Sequence, residues 1–119
     1  MTGSGKTKFL VLYLAPPSVI DDWKKTDPEK RAAAEAKMRG EWQTWMGNHA
    51  SMILGSEAGG KTKRVTQEGI SDFRNAIMLY AFVEAESHEA AAKAFEKHPH
   101  LHIPQSSIEI MEVRPMGGM

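Results

Sequence analysis

The chain contains no cysteine, which removes thiol nucleophiles, disulfides and thiolate metal sites together and leaves any chemistry to His, carboxylates, Tyr, Ser or Arg. Net charge is lacking as well: fifteen Lys and Arg residues balance fifteen Asp and Glu. Without a basic or acidic excess there is no electrostatic footprint for nucleic acid or for an anionic membrane surface, and neither is expected as a partner. Long apolar runs are missing too. The run Ala76 to Val83 falls far short of the roughly twenty residues that cross a bilayer, and no basic-then-apolar leader precedes a cleavage site. A cytoplasmic location is expected. What remains is 119 residues with 41% apolar content, the profile of one soluble globular domain.

The opening residues Thr2-Gly3-Ser4-Gly5-Lys6-Thr7 end like a phosphate-binding loop, but the first glycine of that pattern is missing. Phe9 to Ala15, which follows, is an apolar run closed by Pro16-Pro17 and reads as a strand, whereas a phosphate loop must open a helix. Residues 1–7 are therefore expected to be a flexible N-terminal arm, residues 8–115 a single domain and residues 116–119 a flexible tail. No cofactor motif is visible, and no cofactor is expected.

Along the chain, Ser18 is expected to cap a short turn through Asp22, and Asp27-Pro28 to start a long helix that runs to about Met46 and ends at Gly47-Asn48. Ala34, Met38, Trp42 and Trp45 recur at helical spacing and should share one face. Ser51 to Leu54 reads as a short strand, Glu57 to Lys61 as a turn, and Thr62 to Thr66 as part of a peripheral hairpin whose other strand is not evident. Asn75 to Glu84 is apolar at both odd and even positions, so both of its faces should be covered. Ser87 caps a helix over Glu89 to about Lys97, Pro99 stops it, and Ser107 to Arg114 reads as the last strand.

The order strand, helix, strand, strand, helix, strand is the α+β, ferredoxin-like βαββαβ arrangement with an antiparallel sheet, here with a small extra hairpin. Two helices cover one face of such a sheet. Because the first and third strands are apolar on both faces, a homodimer packed sheet to sheet is expected.

Four stretches, "KFLVLYLA", "ILGSEAGG", "AIMLYAFVEAESHEAAAKAFEKHPHL" and "IEIMEVRPM", resemble the YCII-related family with its DGPF-type relatives, in the dimeric α+β-barrel superfamily. The resemblance implies a homodimer in which two ferredoxin-like units form a barrel with ligand-sized clefts. The DGPF signature is absent, with only Asp72 and Phe73 similar to it. The His and Asp that some members use for proton transfer are replaced by Met38 or a neighbour and by Ile110, so that pair does not carry over.

The residues that can carry chemistry are mostly imidazoles. In an extended His98-Pro99-His100-Leu101-His102, three rings would point to one side, a set that suits a metal; no metal is expected, because the same residues suit a helix exit and loop, with His98 protonated near the helix C-terminus. His100 is the first acid–base candidate, with His102 as a ligand-binding residue. His49 is expected at the mouth of a cleft as a second acid–base candidate, or as a cap on the long helix. Trp42 and Trp45 are expected as core and cleft wall at once. Asp72 and Arg74 could bind a carboxylate or form an exposed ion pair. Tyr13 and Tyr80, on neighbouring strands, are expected to project their hydroxyls into the barrel. The leading expectation is a homodimer that binds a small organic molecule and acts on it by acid–base chemistry. The alternative is a non-catalytic ligand-binding or accessory dimerisation module.

Overall fold

The computed structural model of the chain describes residues 6–117, so the first five residues of the expected arm and the last two of the expected tail lie outside the described residues. The chain runs β1 (Thr7–Leu14), α1 (Pro17–Lys24), α2 (Pro28–Asn48), β2 (Ile53–Ala58), β3 (Thr62–Thr66), β4 (Gly69–Phe73), β5 (Ile77–Ala85), α3 (His88–Ala94) and β6 (Ser107–Glu112). Four strands form one sheet in the order β2-β5-β1-β6, with every neighbouring pair antiparallel. That order is the ferredoxin-like one expected from the element sequence.

Side chains alternate across each strand. On β1, Phe9, Val11 and Tyr13 are buried, and on β5, Ala81, Val83 and Ala85 lie on the same face. Ala91 and Phe95 of the α3 region and Trp45 of α2 close over them, with Ile108 and Ile110 of β6 at the side. The core is this single layer between helices and sheet. Leu10 and Leu12 of β1 point the other way, paired with Phe82 and Tyr80 of β5 and with Met111 and Glu109 of β6. No helix among the described residues covers that second face.

Local rules account for the helix ends. Asp27 accepts a hydrogen bond from the Lys30 amide at 3.2 Å and Pro28 takes the first helical position of α2, where a missing N–H costs nothing. Ser87 does the same for α3 through the Ala90 amide at 3.0 Å. Pro17 likewise starts α1, which makes a full helix of the segment expected to be only a turn. α2 continues through Gly47 to Asn48, and α3 stops at Ala94, three residues before its expected end.

Of the expected stripe on α2, only Trp45 is buried; Met38 and Trp42 are half-buried and Ala34 is exposed. The helix therefore packs by its C-terminal half and overhangs with its first half. β3 and β4 form a separate two-stranded sheet, and β4 is the hairpin strand that was not evident in the sequence. Gly69, at φ 123°, supplies the turn conformation that other residues resist. At the root of the hairpin, Gly59 lies so close to the main chain of Ile77 and Met78 that a Cβ would meet their oxygens at 3.3 Å.

Two substitutions should separate core from arm. Phe9→Ala, at a fully buried position, is expected to cost about 3–5 kcal/mol, while Val65→Thr, at a position 74% exposed, should stay within about 0.5 kcal/mol. Urea unfolding monitored by circular dichroism measures both.

Candidate functional site

Six expected residues, Tyr13, Trp42, Trp45, His49, His98 and His100, meet at the end of the sheet where β1 finishes. The chain leaves α3, and Pro99–His102 form a single 3-10 turn instead of an extended segment. Alternation therefore fails here: His98 and His100 turn inward and are 0% and 1% exposed, whereas His102 is exposed. The three imidazoles do not share a side, and among the described residues no group of three His, Cys, Asp or Glu is placed to hold a metal ion.

The two buried rings are held differently. His100 Nε2 donates to the Leu14 carbonyl at 2.9 Å, which places its proton on Nε2, and the Ser106 hydroxyl donates to the His100 carbonyl at 3.0 Å. Burial pushes the His100 pKa below its ordinary value, while main-chain hydrogen bonds to Leu14 and Ser107 oppose the shift. His98 Nδ1 accepts from the His100 amide at 3.0 Å, so the His98 proton also sits on Nε2. That N–H has no protein acceptor among the described residues although its ring is fully buried. The His98 pKa falls to about 4, chiefly through burial and then through His100 and His49. His98 is thus neutral, which overturns the protonated helix-end role expected of it: loss of hydration outweighs any attraction to a helix terminus.

Aromatic rings enclose His98. Trp42 and Trp45 stand edge to face with it at 4.3 and 4.5 Å between centroids, Tyr13 is tilted to it at 5.1 Å and Phe95 stacks on it at 5.9 Å. Burial raises the Tyr13 pKa, so the hydroxyl keeps its proton. Trp45 donates its indole N–H to the Ala94 carbonyl at 3.1 Å, at an α3 terminus that lacks helical partners. His49, the residue after α2, stacks on Trp45 at 4.2 Å and hydrogen-bonds through Nδ1 to the Trp45 carbonyl at 2.8 Å. It caps the helix, and its Nε2 has no hydrogen-bond partner among the described residues.

Two surface depressions adjoin this cluster. One of about 330 Å³ lies between Trp42, the β2 residues Ser56, Glu57 and Ala58, and Leu79. The other, of about 300 Å³, is bounded by Glu41, Trp45, Asn48, Lys97 and His102.

The other expected residues lie elsewhere. β1 and β5 are neighbours as expected, but Tyr80 pairs with Leu12 and Tyr13 with Leu79. The two tyrosines therefore occupy opposite faces of the sheet, and only Tyr13 joins the cluster. Tyr80 reaches Glu57 at 3.4 Å. Asp72 pairs with Lys63 across the exposed hairpin. Arg74 makes a two-pronged ion pair with Asp21 at 2.8 and 2.9 Å, and its guanidinium holds that carboxyl below the usual range. Asp72 and Arg74 thus do not pair with each other; each makes an exposed ion pair with a different partner. Sequence reasoning had placed His98 in a metal set or at a helix exit; its burial comes from rings on three elements, Tyr13, Trp42, Trp45 and Phe95. His88 drew no attention, and it bonds through Nε2 to the Ile110 carbonyl at 2.7 Å while packing on Phe9.

No protein-family model and no curated protein matches the chain. Among solved structures it is similar to a 5-chloro-2-hydroxyhydroquinone dehydrochlorinase, TftG, from Burkholderia phenoliruptrix, in complex with 2,5-dihydroxybenzoquinone. The TM-score is 0.54 and the identity 12%, over 93% of this chain and 95% of that one. At this identity the likeness shows the fold, and it agrees with the α+β ferredoxin-like arrangement read from the strand order.

The lowered His98 pKa fixes the sign of a pH effect. The folded ring stays neutral down to about 4, while the unfolded ring takes up a proton near 6.5. Stability is therefore full above about pH 7 and is lost as pH falls from 6.5 through 4, by up to about 3 kcal/mol from His98, and His100 acts in the same direction. Chemical denaturation across pH 4–8 should show this decline, and His98→Gln should flatten it.

Proposed function

We propose that the protein is a YCII-related homodimer, cytoplasmic in location, that binds a small organic molecule in the cleft between α2 and the sheet and acts on it by acid–base chemistry. The observation that carries the ligand site is the gathering of His49, His98, Trp42, Trp45 and Tyr13 at one end of the sheet beside an open depression. Indole and phenol rings supply an apolar wall, and imidazoles supply polar contacts at few, defined points, which is the make-up of small-molecule sites. The neighbour TftG binds a small oxygenated quinone, a ligand of the size such a cleft takes.

His49 is the proton carrier in this reading. Its Nδ1 is held by the Trp45 carbonyl, its ring is half-buried, and its Nε2 lone pair remains for substrate. His100, the other acid–base candidate, commits its Nε2 proton to Leu14 and serves to position the turn. That commitment favours, as the second reading, a non-catalytic binding module with the same cleft.

The dimer rests on the uncovered face of the sheet. Leu10, Leu12, Tyr80 and Phe82 lie side by side there, with Met111 52% exposed. The chain also has a radius of gyration of 16.8 Å where about 13.5 Å is usual for its length. A flat, one-sided shape of this kind is completed by a second copy about a two-fold axis. No helix among the described residues is long and apolar enough to cross a membrane, and the half-buried Leu10, Leu12, Tyr80 and Phe82 support protein cover for this face.

Native mass spectrometry of freshly purified, untagged protein tests both parts. The expected result is a species of twice the 13.2 kDa chain mass with a discrete small-molecule adduct, and Leu12→Glu should convert it to a folded monomer. A monomeric wild type would sink the dimer. A dimer that neither retains a molecule nor binds any member of a screened set of small organic compounds would sink the ligand reading.

A further inference from the structure

Both buried imidazoles carry their proton on Nε2, and only one of those protons is used. His100 spends its N–H on Leu14; His98 has a fully buried N–H with no protein acceptor among the described residues. An unmade hydrogen bond from a buried donor costs about 1–3 kcal/mol, and such donors in folded proteins commonly mark a place that something else completes. The indoles of Trp42 and Trp45 stand across the ring at 4.3 and 4.5 Å, which offers at most a weak N–H···π contact in place of a true acceptor.

Trp42 has two sides. One forms the wall of the 330 Å³ depression with Ser56, Ala58 and Leu79; the other meets His98. Trp42 is half-buried, on a helix of which only Trp45 is buried. Trp42 therefore touches both the depression and His98. The rings around His98 are aromatic and flat: Trp42, Trp45 and Tyr13.

We infer that the Nε2–H of His98 is a ligand-binding donor, and that it takes the phenolate or carbonyl oxygen of a planar aromatic molecule that enters from the depression beside Trp42. The inference rests on the small-molecule reading above and adds to it the ligand class and the atom that recognises it. A neutral imidazole suits an oxygen acceptor because it donates without bringing a buried charge, and the low pKa of the ring keeps it in that form. The aromatic enclosure selects flat rings by stacking. His49 and His98 both pack against the Trp45 indole, at 4.2 and 4.5 Å between centroids.

The test uses 4-nitrophenolate at pH 8.5 as the probe, with calorimetric titration of the full-length wild-type protein, His98→Phe and His98→Gln. Both variants lose the Nδ1 acceptor for the His100 amide, but only Gln keeps a donor near the Nε2 position. Expected are measurable binding by the wild type, a loss of tenfold or more in His98→Phe, and recovery of most of that loss in His98→Gln. In histidine-labelled wild type, the His98 Nε2–H proton resonance should move downfield when the probe is added, a reading that needs no variant to fold. Equal binding by wild type and His98→Phe, or an unmoved Nε2–H resonance at saturation, overturns the role of His98 and leaves the cleft standing. No binding of the probe by the wild type overturns the ligand class, while retention of some other molecule in the native mass spectrum keeps the small-molecule reading separate.

Discussion

The hydrogen bond from His100 Nε2 to the Leu14 carbonyl joins residues 86 apart in the chain, and the geometry of the cluster depends on it. It draws the turn that follows α3 against the end of β1. It also fixes the tautomer of His100, because a carbonyl accepts and never donates. The His100 main-chain amide donates to His98 Nδ1, so the proton on the His98 ring is assigned by that amide. Packing of Tyr13, Trp42, Trp45 and Phe95 around His98 holds what these bonds set. A residue that touches no ligand in this arrangement thereby decides where a donor is available.

The sheet has a strict division of labour. One face is filled by helices and by the aromatic cluster; the other carries Leu10, Leu12, Tyr80 and Phe82 with no helix on it among the described residues. Period-two alternation in β1 and β5 makes both faces apolar, and two helices on a four-stranded sheet can satisfy only one. The same alternation separates Tyr13 from Tyr80 and so keeps the aromatic cluster on the face opposite the uncovered one. In the function proposed above, binding and association would use different side chains of the same two strands.

Much of this architecture is legible in the residues. Asp27-Pro28 and Ser87 announce their helices because caps and prolines act locally, and the apolar runs around Val11 and Ala81 announce the central strands. Less legible is what depends on register or on contact at a distance. Adjacent strands were foreseen, but which tyrosine shares a face with which residue follows from the pairing of Leu12 with Tyr80, and no local rule fixes that. The spacing of His98, His100 and His102 suits a strand, and Pro99 at the start of a 3-10 turn decides against it. The depth of His98 is set by four rings from three separate elements, and a single segment does not reveal it. Arg74 finds Asp21 of α1, 53 residues away in the chain, again a pairing made only in three dimensions.

The β3–β4 hairpin has its own sheet, and its apolar pair Val65 and Ile70 is 74% exposed at each residue. A two-stranded ribbon has little to hold it closed beyond its own ladder, so its amides should open and close independently of the main sheet. In energetic terms the chain has two thermometers: one in β1 and β5 that reads the whole fold, and one in the hairpin that reads only itself. Sequence drift in the hairpin is accordingly invisible to the stability of the core, and the segment is free to be shaped by whatever it meets at the surface.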